Sequence, residues 1–587
     1  MSFQKNLLWA SLFSGLILSS GCNNDDNETT TEPAVETTIS MQQMGTYASG
    51  VFDESAAEIV AFDADTKQTF VVNANSGQID VLNSSDVSNP TKNLSINLAQ
   101  TLQDNGIVGS TDLVGTANSV AVKNGLMAVA VEAETKTDNG WVMFYKVSDL
   151  SFVSALEVGA LPDMLTFSPN GELLVVANEG EPSEDTYAID PEGSISIIDI
   201  NWDGSTLSTN VTSLGFAGIS LPEGVLLNGY NATPAQDLEP EYVAISEDST
   251  RAFVALQENN AIVDVDLTTK TINKIFALGL KDHSIDGNGL DGNNKDDMVN
   301  IKTENALGML MPDSIATYQV DGVNYVLTAN EGDSRDDWLL ALDQVSCEAA
   351  GFYFNKEEDA GEQCIDEITL KDALDSDVYE PASTTAKLNL SRFDGGDLSD
   401  TVNRLKFSHS LTLKHGDLDG DGTIDKILSF GGRSFSIFNA ETGEQVFDSG
   451  DTFEQITAEK YGTDFNNDNA ENAAEDRSDN KGPEPEALEI AQIGDKTYAF
   501  IGLERMGGIM VYDITTPSEA TFIEYNSNRL TDVTNDVLEA GGAGDLGPEG
   551  MKFVSAENSP NGQPLLIVAS EVSGTTTFYQ INEIEVD

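Results

Sequence analysis

The chain has 587 residues, with Asp+Glu 99 against Lys+Arg 29, and a formal net charge of -70. A surface of that sign repels phosphate backbones and anionic lipid, which excludes nucleic acid as a partner and leaves a membrane reachable only through an anchor. Hydrophobic residues make up 40%, enough for a sizeable core, so the chain is not a disordered acidic polymer; its acidity suits cations, or plain solubility in salt.

The first element is a leader. Lys5 precedes an apolar stretch from Leu7 to Leu18, followed by Ser19-Ser20-Gly21-Cys22. Residues 1–21 read as a signal peptide, too short for a membrane span. The cleavage region resembles a bacterial lipobox, with Cys22 acylated as the mature N-terminus. Ser19 stands where an aliphatic residue is preferred, and the plainer alternative is ordinary secretion. The expectation is export, with lipid anchorage in the bacterial outer membrane or at the cell surface or periplasm. Residues 22–44 form a polar, acidic tether, and residues 45–587 a single domain. The remaining cysteines, Cys347 and Cys364, predict a disulfide in an exported chain.

Past the tether one unit recurs: a short strand, a turn, an apolar strand, a loop and a third alternating strand. Copies begin at Glu58 (EIVAFDAD, QTFVVNAN), Ser119 (SVAVKNG, LMAVAVEA), Met164 (MLTFSPNG, ELLVVANEG) and Glu241 (EYVAISED, RAFVALQEN). Others begin near Ser314, Asp425, Glu486 and Glu549. Val, Ile, Phe and Tyr between NG, DG and GD turns indicate antiparallel strands. A fourth strand often follows. Repeated four-stranded units predict an all-β fold, a β-propeller of about seven or eight blades with long loop insertions near 268–311, 339–405 and 448–482. Eight copies are counted; seven blades result if the first and last segments share one.

Carboxylates recur at two places in these copies. Before the first strand stand Asp163, Glu239 with Glu241, Asp313, Glu484 with Glu486, and Glu549. After the second stand Glu179, Glu331 with Asp333, Glu504 and Glu571. Equivalent positions in a propeller lie at equivalent places around the ring, so these acids are expected on one face of the central channel. Such a ring is costly unless cations or raised pKa values relieve it. The plainer reading is that acids serve as turn residues in an acidic protein. Arg335, Arg433, Arg505 and Arg477 with Lys481 lie in or near these segments, as structural ion pairs or as captors of a phosphate-like anion.

The sharpest local signal is Asp417-x-Asp419-x-Asp421-Gly422-x-x-Asp425. Alternate carboxylates with glycine at the sixth position wrap a hard cation in oxygen ligands. Leu428 stands where an EF-hand has its glutamate, so a shorter Ca²⁺ loop between strands is expected. The cluster from Asp286 to Asp297 is looser and reads equally well as a hydrophilic turn. There is no GxSxG, Walker loop or HExxH, and only His283, His409 and His415 occur, which argues against a multi-histidine zinc site.

Several blocks carry a family resemblance: ANEGEPSEDTYAIDPEGSISIIDI (177–200), LGLKDHSIDGNGLD (278–291), MPDSIATYQVDGVNYVLTANEGDSRD (311–336), SFGGRSFSIF (429–438), RSDNKGPEPEAL (477–488), YAFIGLERMGGIMVYDIT (498–515) and DLGPEGMKF (545–553). They resemble the choice-of-anchor I family, which is similar to the mesenchyme-specific cell-surface glycoproteins of biomineralising animals. The resemblance implies an exported propeller held at a surface, with Cys22 as the anchor; some relatives are labelled alkaline-phosphatase-like. Two functions follow. One is a Ca²⁺-dependent phosphoester hydrolase using Glu331, Asp333, Glu504, Arg335, Arg433 and Arg505, in which metal would bridge an anionic small molecule to an acidic face. The other is a non-catalytic surface protein binding calcium, a ligand or matrix through Glu179, Glu239, Asp313, Glu484, Glu549 and Glu571.

Overall fold

The computed structural model describes residues 37–183, 188–335, 339–340, 342–356, 362–370 and 404–585. The leader, the lipobox and Cys22 lie outside the described residues. Residues 39–582 form one compact unit. No helix among the described residues is long and apolar enough to cross a membrane.

Seven four-stranded antiparallel sheets organise this unit, each starting with its innermost strand. Blade one runs Val60–Asp63, Gln68–Asn73, Gln78–Asn83, Thr91–Asn97. Blade two holds Val114–Lys123, Leu126–Ala133, Asn139–Lys146 and Ser151–Ala160, and blade three Pro162–Phe167, Leu173–Asn178, Ser194–Trp202 and Leu207–Gly215. Blade four comprises Pro240–Ile245, Arg251–Leu256, Ala261–Asp266 and Thr271–Ala277. Blade six comprises Pro485–Ile493, Lys496–Leu503, Ile509–Asp513 and Thr521–Asn526. The seven inner strands neighbour one another in chain order, and that of blade seven, Pro548–Val554, returns to that of blade one. The fold is a seven-bladed propeller.

The count of eight copies resolves to seven for a physical reason. The copies near Ser314 and Asp425 are two halves of blade five: Ile315–Val320 and Val323–Asn330 pair onward with Ser434–Asn439 and Gln445–Asp448. The insertion 331–433 separates halves that hydrogen bonding rejoins. Its strand Ile427–Phe430 leaves the blade and runs parallel to Ala306–Met309 in a separate small sheet. Blade seven closes by another route. Its strands Pro548–Val554, Leu565–Ser570 and Thr575–Glu585 take Thr37–Ala48 as the outermost member.

Each blade is sandwiched between two others, so its middle strands bury both faces. Leu126–Ala133 is buried at every position, whereas the outer strand Leu207–Gly215 is mostly exposed. Two-sided burial explains why those middle strands read as continuous apolar runs rather than alternating ones. One apolar cluster fills each interface. Between blades seven and one it includes Val60, Val71, Leu82, Leu565, Ile567 and Phe578. Truncating one such leucine to alanine costs about 2–5 kcal/mol. Cys347 and Cys364 are bonded, with Cα atoms 5.7 Å apart, and pack with Leu339 and Phe352 in a small cluster of their own.

Candidate functional site

Four inner strands begin with a repeated dipeptide, proline then acid: Pro162-Asp163, Pro240-Glu241, Pro485-Glu486 and Pro548-Glu549, and Pro312-Asp313 stands just before a fifth. Proline lacks the N–H that would continue the ladder, so it suits the first position of a strand. Directly after it the register shifts in four of these strands, between Pro162 and Leu165, Pro240 and Val243, Pro485 and Leu488, and Pro548 and Gly550. A bulge re-aims the side chain it contains. Here that side chain is the acid each time.

The residue before the proline is held left-handed: φ is 48° at Leu161, 43° at Met311, 51° at Glu484 and 68° at Gly547. For a non-glycine residue that costs of order 1 kcal/mol or more. Its carbonyl accepts from the turn that ends the second strand. The N–H of Glu179 donates to Leu161 (3.0 Å), that of Glu504 to Glu484 (2.7 Å) and that of Glu571 to Gly547 (2.7 Å). These bonds fasten the second set of acids beside the first. Two tiers of carboxylates therefore converge on one end of the channel, where a cavity of about 40 Å³ has Asn118, Asp163, Asp313 and Glu549 on its wall. A larger cavity of about 400 Å³, lined by the inner strands, occupies the channel.

Burial, then the neighbouring acids, raises these carboxyls: Glu58 is pushed up to about 9 and Asp163 to about 7. Glu179, Glu241, Asp313, Glu486 and Glu549 are likewise held well above the usual carboxylate range. Buried oxygens of Glu241, Glu486 and Glu549 have no hydrogen-bond partner among the described residues. Two triads bring one oxygen from each member within 4.8 Å of the others: Asp313, Glu331 and Glu486, and Glu58, Glu549 and Glu571.

A third triad, Glu331, Glu484 and Glu504, has the same spacing but is supplied with cations by the chain itself. Lys481 Nζ lies 2.6 Å from Glu331 and 3.0 Å from Glu484. Arg477 Nε is 2.8 Å from Glu484, and Arg505 reaches Glu484 at 3.3 Å and Glu504 at 3.0 Å. Burial pushes the Glu484 carboxyl up, but Lys481, Arg477 and Arg505 outweigh it and hold it well below the usual range.

The arginines separate by role. Arg335 is buried against Asp237 (3.3 Å) and Glu239 (2.8 Å), clamping the segment before blade four. Arg433 donates to the carbonyls of Asp291 (2.8 Å), Ser478 (2.8 Å) and Asn480 (2.6 Å) and pairs with Glu454. It thereby positions the loop that carries Lys481. Arg505 alone of the three stands in the crown of acids. Asp333 is exposed, and its carboxylate accepts from the Ser334 N–H at 2.7 Å.

The Asp417–Asp425 loop lies elsewhere, between the helix His409–His415 and the strand Ile427–Phe430, rather than between two strands. Asp417, Asp419 and Asp425 bring oxygens within 4.8 Å of one another. Asp421 accepts from the N–H (2.9 Å) and hydroxyl of Thr423 and stands outside that group. The cluster after Asp286 is a hydrogen-bonded turn, with Asp291 accepting from Asn293 (3.2 Å) and Asn300 (2.6 Å).

Glu58 stands in the crown although it is not among the acids expected there from the sequence. The signal for Glu58 was present: EIVAF at 58–62 aligns with EYVAI at 241–245.

The choice-of-anchor I domain family matches residues 58–517. Gigasin-3a of Magallana gigas is 33% identical over 173 residues, covering 28% of this chain and 61% of that protein. The mesenchyme-specific cell surface glycoprotein of Strongylocentrotus purpuratus is 25% identical over 304 residues, covering 49% and 36%. The matched stretch thus spans less than two thirds of either relative. Among solved structures, a chain of Kuenenia stuttgartiensis hydrazine synthase has a TM-score of 0.40 at 11% identity over 92% of this chain and 99% of that one. The WD40 domain of Neurospora crassa Pan2 has a TM-score of 0.39 at 9% identity over 93% and 97%. The family match begins at the crown residue Glu58 and continues into blade six, and the chain belongs to the choice-of-anchor I family.

Proposed function

We propose that this is a surface-tethered propeller whose crown of acids binds calcium. One observation carries the reading: buried carboxylate oxygens of Glu241, Glu486 and Glu549 have no partner among the described residues while oxygens of Asp313, Glu331 and Glu486 converge within 4.8 Å. Oxygen-only donors on rigid strand ends suit a hard cation. The Asp417, Asp419 and Asp425 loop is a second, more exposed calcium site with a structural role. Residues 1–21 act as the signal peptide, Cys22 carries the lipid, and the tether ends where the blade-seven strand Thr37–Ala48 begins, short of the residue 44 expected from the sequence. Calorimetry of the purified chain with calcium tests the reading: saturable binding weakened by Glu486→Gln supports it, and no binding overturns it.

A second reading, calcium-dependent phosphoester hydrolysis, is favoured by Arg505, whose guanidinium stands among the crown acids with its side chain 28% exposed. Calcium held there would supply positive charge to phosphate oxygens and lower the pKa of a bound water. Arg505 would orient the anion, Glu484 and Glu504 would hold Arg505, and Arg433 would fix the loop bearing Lys481. A phosphoester panel with calcium and with chelator decides: turnover lost on chelation and in Arg505→Lys supports hydrolysis, and none under any condition leaves a binding protein.

A further inference from the structure

Where blades seven and one meet, distant parts of the chain come together: the outermost strand of blade seven, Thr37–Ala48, leads directly into blade one, whereas its other three strands lie between residues 548 and 585. Three features meet there. Glu58 directly precedes the inner strand region of blade one, Glu549 sits in the bulge of the last inner strand, and Glu571 follows the second strand of blade seven. The backbones approach so closely that a Cβ on Gly550 would lie 2.4 Å from the Glu58 carbonyl oxygen and 2.8 Å from Ile59 Cα. One oxygen from each of the three glutamates lies within 4.8 Å of the other two.

We propose that Glu58, Glu549 and Glu571 hold a calcium ion that clasps the ring shut at this seam. The inference rests on the crown being a calcium-binding centre and gives one of its sites a task. Among the described residues no lysine or arginine forms a salt bridge with any of the three, in contrast to Glu331, Glu484 and Glu504. Arg505 lowers the Glu571 carboxyl against the effect of burial, and a hydroxyl, Ser55 Oγ, donates to Glu571 Oε2 at 3.4 Å. The independent observation is Glu549 Oε2, an oxygen shut off from solvent on a partly buried residue and without a hydrogen-bond partner among the described residues; Glu549 also lines the small cavity at the channel end. An unpaired buried carboxylate oxygen is costly, and a cation removes the cost while tying two blades together. Pairing of Thr37–Ala48 inside blade seven, the apolar cluster between blades seven and one, and the clasp together hold the first strands of the propeller against the last.

The experiment measures bound calcium per chain and hydrogen exchange of Thr37–Ala48 and Val60–Asp63, in calcium and in chelator, on the full chain. With free calcium about 100 times Kd, exchange through opening of the seam should slow about 100-fold in the wild type. Glu58→Gln and Glu549→Gln should each bind one calcium fewer and lose that protection, while Asp417→Asn should keep it. Seam exchange indifferent to calcium in the wild type overturns the clasp without recourse to any variant. Full calcium stoichiometry in both Glu→Gln variants overturns it too. A wild type that binds no calcium removes the crown reading as well; one that binds calcium while the seam ignores it removes the clasp alone.

Discussion

On the side of blades five and six, Glu331, Glu484 and Glu504 meet Lys481, Arg477 and Arg505, whereas on the side of blades seven and one, Glu58, Glu549 and Glu571 meet one another. The same spacing of oxygens thus has two electrostatic outcomes: three cations hold Glu484 low, while burial and then Glu571 push Glu58 up to about 9. A count of acids cannot tell a self-neutralised cluster from one that calls for an outside ion. The supply of internal cations can. Removing charge should therefore have opposite signs on the two sides, and this contrast is open to direct attack.

The largest effect is expected at Lys481. Lys481→Met leaves Glu331 and Glu484 short of their shared cation, and breaking a buried pair in this way costs about 3–5 kcal/mol. Urea denaturation in chelator reads the loss, and a stability unchanged from wild type would erase the distinction between the two sides. Arg433→Met should follow at about 2–4 kcal/mol, because three buried carbonyls and Glu454 lose their donor. The same denaturation measures it.

A pH series sharpens the comparison once an unrelated group is separated from it. His283 is buried with Nδ1 2.7 Å from the Asn288 carbonyl; burial first, then Lys281, lowers its pKa to about 3. Its folded pKa lies below its unfolded one, so the folded state disfavours the proton. Stability is then fully present above about pH 6.5 and falls by up to about 1.4 kcal/mol per unit as pH drops towards about 3. His283→Gln should flatten that limb of the stability profile, and a limb of unchanged slope would assign it to other groups. The smallest effect is on the unsupplied side. In chelator at mildly alkaline pH, Asp163→Asn should stabilise by about 1 kcal/mol, since it removes a buried charge repelled by its neighbours. A melting temperature that falls instead would mean that Asp163 is held by something other than acids.

The sequence made the repeat legible because each blade carries its own strands and turns, and it made part of the crown legible because acids recur at fixed places within the unit. Blade five hid its unity: Asn330 and Ser434 are register partners on adjacent strands yet lie on either side of the 331–433 insertion. The cation supply was hidden in the same way. Lys481 and Glu331 are 150 positions apart, and no local pattern announces their contact. The aim of each inner-strand acid depends on a bulge, and proline before acid is its one trace in the sequence. Blade one lacks that trace, and Glu58 is marked there only by the likeness of EIVAF to EYVAI.

The outermost strand of blade seven also sets the timing of folding. Thr46 meets Thr577 across 531 positions, so Thr37–Ala48 remains an unpaired edge until Thr575–Glu585 has been synthesised. Blades one to six can form in sequence as the chain lengthens, each gaining a neighbour, but the circle stays open to the end. During that interval the first strand made is the one in greatest need of shielding from other chains. Closure is a single late event that depends on the last strand, and a chain cut short before it would hold six complete blades with Thr37–Ala48 and Leu565–Ser570 left as two unjoined edges.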